Sequence, residues 1–75
     1  MTPEQIIATQ NTLVRIHEAF YGSGYTEGIA PVHEDGETVY HIRAGRHSAV
    51  VAGGEFAERG IDAVVGGIVL AWDRE

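Results

Sequence analysis

Apolar residues recur with a helical period at the start of this chain, in short alternating runs through its middle, and with a helical period again at its end. Over the last third, Ile61, Val64, Val65, Ile68, Val69 and Trp72 share one side of a helical wheel, opposite Asp62, Ala63, Gly66, Gly67, Ala71 and Asp73. A helix from near Glu55 is expected, with Glu55, Glu58 and Asp62 suiting the positive end of its dipole. Gly60, Gly66 and Gly67 oppose it, at about 0.8 to 1 kcal/mol each relative to alanine. The rival is a hairpin in which two β-branched pairs, Val64-Val65 and Ile68-Val69, flank Gly66-Gly67. The helix accounts for more positions, including Trp72, and is the preferred reading.

The first residues spell a helix start: Thr2 as N-cap, Pro3 at the first helical position, Glu4 in the first turn and Gln5 completing a capping box. The helix is expected from about Pro3 to Tyr21, with an apolar face of Ile6, Ile7, Leu13, Val14, Ile16, Phe20 and Tyr21. Gln10 and His17 interrupt that face one heptad apart, either satisfied locally or setting register in a helix-to-helix contact. Gly22-Ser23-Gly24 ends the helix, glycine being free to take the left-handed conformation there.

Between Tyr25 and Ala52 the pattern shortens. Ile29 to His33 reads as a brief or edge strand because Pro31 cannot donate to a ladder. Glu34-Asp35-Gly36-Glu37 is a turn around Asp-Gly, Thr38 to Arg43 a strand, Ala44 to Arg46 a second turn, and His47 to Ala52 another strand. Alternation points Tyr40 and Ile42 inward and leaves His41 and Arg43 exposed. The expected fold is α+β: an N-terminal helix, a small antiparallel sheet of two or three strands, and a C-terminal helix, in αββα or αβββα order. It forms one small domain over residues 1–75.

A chain of 75 residues has a small core, and with no cysteine it can use neither disulfides nor thiolate zinc to reinforce it. A partner, identical or foreign, is the remaining common support. Eleven acidic and five basic residues give a net charge of −6, and every basic residue is an arginine. Direct binding to nucleic acid is disfavoured, since that affinity rests on basic side chains displacing counterions. The acidity suits a basic surface on a larger protein or protein–nucleic acid complex, or else serves solubility alone. No stretch is long and apolar enough to span a membrane and the first residues lack a signal-peptide pattern, so a cytoplasmic location is expected. The absence of lysine and cysteine beside abundant Ala, Gly, Val and Arg resembles a GC-rich coding bias, as in a bacterial or phage source.

Catalytic parts are not assembled by the sequence. Neither Ser23 nor Ser48 sits in a nucleophile elbow, and neither glycine pair is followed by a phosphate-loop lysine. His33, His41 and His47 could form a metal-dependent site with Glu34 or Asp35 if the strands brought them together, although none has ligand spacing. The main expectation carries no metal and no cofactor. Glu34, Asp35 and Glu37, helped by Glu27, make a negative hairpin tip suited to an arginine- or lysine-lined groove, with His41 and Arg43 on the adjoining sheet face. Ala63, Gly67 and Ala71, at four-residue intervals, form a small-residue docking or dimer face with Leu70 and Trp72 as anchors. These features predict a non-enzymatic inhibitor or regulator that occupies a basic surface. In size, acidity and lack of catalytic motifs the chain is similar in class to phage-encoded anti-defence inhibitors, anti-CRISPR proteins among them, a likeness that no motif carries. The alternatives are a homodimeric structural or regulatory subunit and the small histidine–carboxylate enzyme.

Overall fold

The computed structural model describes Thr2–Glu75. Its order is α1 (Pro3–Phe20), β1 (Gly28–Glu34), β2 (Glu37–Ala44), β3 (His47–Ala52), α2 (Gly53–Arg59) and α3 (Ile61–Asp73). The strands form one antiparallel meander in the order β1-β2-β3. This is the α+β arrangement with an N-terminal helix, a three-stranded sheet and a helical C-terminal part.

Both halves of the capping box at α1 form. Thr2 Oγ1 accepts from the Gln5 amide at 3.2 Å and Gln5 Oε1 accepts from the Thr2 amide at 2.8 Å. The strand between the two turns obeys its alternation: Tyr40, Ile42 and Ala44 are buried, and His41 and Arg43 are exposed. Register places Ile29, Pro31, Ala49 and Val51 on the Tyr40–Ile42 face. That face packs on Ile16 and Phe20 of α1, Phe56 of α2, and Ile61, Val64, Val65 and Trp72 of α3 in a single cluster. The other face, with Val32, Val39, His41, Arg43 and Val50, carries no helix.

The C-terminal helical region differs from the expected single helix. Gly60, at φ 89° and ψ 143°, ends α2 and begins α3: its amide donates to the Phe56 carbonyl at 2.9 Å and its carbonyl accepts from the Val64 amide at 3.2 Å. An uninterrupted helix would rotate Ile61 about 140° and Val65 about 180° away from Phe56. The break at Gly60 lets all of them reach the core, with Phe56 edge-on to Tyr40 at 5.5 Å between ring centres. Val64 to Val69 are helical throughout, so the Gly-Gly hairpin does not form.

The apolar face expected of α1 is only partly used. Ile16 and Phe20 are buried and Leu13 is half-buried, whereas Ile6, Ile7 and Val14 are exposed, and Tyr21 lies beyond the helix end at 92 % exposure. The sheet and α3 cover chiefly the C-terminal half of this helix, and the N-terminal half stands beside the outer strand β1. Gln10 and His17 are accordingly exposed rather than buried in the core.

Two glycines should respond oppositely to alanine. Gly60 holds a positive φ that an L side chain rarely adopts, so Gly60→Ala is expected to destabilise the fold by about 1 to 3 kcal/mol. Gly66 is in mid-helix with open space where a Cβ would stand, so Gly66→Ala should stabilise by about 0.5 to 1 kcal/mol. Urea unfolding followed by circular dichroism measures both; equal effects of the same sign would contradict this account.

Candidate protein-binding surface

The β1–β2 turn is a two-residue loop in which Asp35 and Gly36 both have positive φ, 50° and 78°. That is the pattern of the primed hairpin turns, whose twist matches the strands they join, and aspartate is among the few side chains that tolerate it. The turn sets Glu34 directly opposite Glu37 and carries Asp35 at the apex. All three are exposed, and among the described residues none forms an ion pair. Like charges placed opposite each other on a ladder are unfavourable, so the tip holds a net negative field that the fold itself does not neutralise. Beside it, His33 Nδ1 and Thr38 Oγ1 share a 2.8 Å hydrogen bond. Glu37 reaches toward the first turn of α2, where its Oε1 would lie 3.8 Å from a Cβ on Gly54.

The other residues assigned to this patch lie elsewhere. Glu27 precedes β1, about 23 Å of extended chain from Glu34. Its side chain is only 9 % exposed and accepts from His17 Nδ1 at 2.5 Å. It is a tether between α1 and the start of the sheet, not a free member of the tip. His41 and Arg43 are exposed on the open sheet face, as alternation requires, but Arg43 pairs with Gly28 at the end of the sheet remote from the turn. The acidic site is therefore Glu34, Asp35 and Glu37 alone.

On α3, Ala63, Gly67 and Ala71 are exposed, so the small-residue face packs on neither the sheet nor α1. Leu70 is 60 % exposed and lines a shallow groove with Tyr21, Gly22 and Gly66. Trp72 is not a docking anchor: it is 3 % exposed. Its ring stacks on Phe20 at 5.6 Å and on His47 at 5.5 Å, Tyr25 meets it edge-on at 5.1 Å, and its Nε1 donates to the Ser48 carbonyl at 3.3 Å. The sheet face opposite the helices looks outward, as expected of helices that cover one side, and the strand alternation that exposes His41 and Arg43 exposes Val50 on it as well.

The histidines do not assemble the alternative metal site. His33 and His41 are on opposite faces of the sheet, and His47 lies at the end remote from the acidic turn, packed on Trp72 with Nδ1 3.2 Å from Glu75 Oε1. Among the described residues no three His, Asp or Glu side chains converge as metal ligands. Ser23 Oγ accepts from the Tyr25 amide at 3.2 Å, a turn contact. Among the described residues no helix is long and apolar enough to cross a membrane. No protein family, curated protein or solved structure matches this chain.

One titratable contact at the far end is open to measurement. Tyr25 donates its hydroxyl to Asp73 Oδ1 at 2.6 Å. That bond, desolvation and the negative charges of Asp73 and Glu75 raise the phenol above its ordinary 10.0, with Arg46 opposing. The folded state thus favours the neutral phenol, a stabilisation complete below pH 10 and lost as pH rises through the raised folded value. Spectrophotometric titration should show the phenol that disappears in Tyr25→Phe ionising late, and Asp73→Asn should bring it down and flatten the alkaline loss of stability. No movement of that phenol in Asp73→Asn would contradict the contact.

Proposed function

We propose that this protein is a non-enzymatic binding protein that inhibits or regulates a larger partner by seating its acidic hairpin tip in a basic, nucleic-acid-type groove. The observation that supports this reading is the tip itself: Glu34, Asp35 and Glu37, exposed on a tight turn, with no cation among the described residues within ion-pair distance. A two-residue loop loses little freedom on docking, so its carboxylates arrive already arranged, and preorganisation of that kind favours affinity. Such charges act mainly on encounter rate and register, through attraction that salt screens.

Net charge also supports a protein rather than a polyanion as the contacted surface. At −6 the chain is repelled by phosphate backbones, and one of its five arginines, Arg59, is engaged with Glu55 at 2.8 Å. Some of the phage-encoded inhibitors that the chain resembles in size and acidity imitate nucleic acid, which accords with occupation of such a groove.

The test is affinity capture from a bacterial lysate with the wild type and with the triple variant Glu34→Gln/Asp35→Asn/Glu37→Gln, at low and moderate salt, followed by competition with an oligonucleotide. The wild type is expected to retain a basic protein that is lost in the triple variant, weakened by salt and displaced by the oligonucleotide. With the purified partner, the triple variant should lower the association rate at low salt by about 10-fold or more and flatten its salt dependence. Capture that is insensitive to both the variant and salt would refute the reading.

A further inference from the structure

The sheet has two edge strands, and the sequence treats them differently. In an antiparallel ladder closed by a two-residue turn, the closing pair is hydrogen-bonded, and alternate pairs turn their backbone groups outward. Counting from the closing pair Ala44–His47, the outward residues of β3 are Ser48, Val50 and Ala52. The bond from Trp72 Nε1 to the Ser48 carbonyl agrees with this count and uses one of that oxygen's two lone pairs, leaving the other toward the edge. On β1 the count from Glu34–Glu37 gives His33, Pro31 and Ile29, so the residue at the centre of that edge has no N–H to offer. Strand β3 contains no proline and no Asp, Glu, Lys or Arg, and Val50 at its middle is 61 % exposed. Natural sheets usually protect an edge of this kind.

We infer that β3 pairs antiparallel with β3 of a second copy about a twofold axis at Val50, giving a six-stranded sheet. The register is self-complementary. Val50 meets the partner's Val50 in a hydrogen-bonded pair, Ser48 lies opposite the partner's Ala52, and the two exposed valines cover each other on the helix-free face. Charge selects a second copy in this orientation. Just past the strand ends, the turn residue Arg46 comes to the start of the partner's α2, toward the partner's Glu55, and symmetry repeats the contact. Within one chain, among the described residues, Arg46 has no carboxylate within ion-pair distance. The two acidic tips then fall at opposite corners of the sheet, on outer strands about 24 Å apart, with Glu34 and Asp35 of each tip away from the interface.

Sedimentation velocity across the micromolar range tests the inference. The wild type should sediment as a dimer. Val50→Pro removes the edge N–H without touching the β2–β3 ladder and should give a monomer. Val50→Lys, which keeps the backbone and sets two like charges at the axis, should also give a monomer with unchanged circular dichroism, separating lost pairing from misfolding. Hydrogen-bonded antiparallel partners have Cα atoms about 5.5 Å apart, within disulfide reach. Val50→Cys should therefore cross-link on oxidation, while Val39→Cys on the central strand should not. A monomeric wild type, a dimer that survives Val50→Lys, or failure of Val50→Cys to cross-link would each overturn the proposal.

Discussion

Trp72 joins the two layers of this molecule. Its indole fills the space between Phe20 of α1 and His47 of β3, and its N–H takes up the Ser48 carbonyl at the sheet edge. One side chain near the C-terminus therefore fixes where α3 lies against both α1 and the sheet. Truncating a buried tryptophan costs about 3 to 5 kcal/mol, against roughly 4 to 11 kcal/mol for the entire stability of a chain this long. With that ring seated, Ile61 and Val65 on the same side of α3 face the core, and Ala63, Gly67 and Ala71 face outward.

The parts of this fold that depend on near neighbours are the parts that could be read from the chain. The capping box needs only Thr2 and Gln5, the hairpin needs only Asp35-Gly36, and the alternation of Tyr40 through Arg43 follows from the pleat. What escaped were matters of which surfaces meet. Gly60 looked like a tolerated penalty within one helix, because the conflict between Phe56 and Ile61 emerges only once both must face the same sheet. Trp72 already lay on the greasy side of the wheel; reading it as an anchor for a partner overlooked that Phe20 and His47 would enclose it. Glu27 looked like one more surface acid because its partner His17 is a helix away in sequence.

The candidate site divides along the same line. Glu34, Asp35 and Glu37 are held together by a turn, and the turn was visible in the sequence. Glu27, His41 and Arg43 were grouped with them by charge and proximity along the chain, and the register separates them onto a tether and a distant stretch of the open face. The stripe of Ala63, Gly67 and Ala71 kept its exposure because the opposite side of α3 supplies enough apolar surface to hold the helix.

Pro31 has an effect that reaches beyond its own strand. A sheet with two receptive sides can recruit copies without limit, each newcomer offering a fresh template to the next. Here the amide missing from the middle of β1 weakens that side as a template, so pairing of the kind inferred for β3 would end with the first addition. Lateral association of the kind inferred for β3 would therefore be finite, which separates a closed assembly from a fibril.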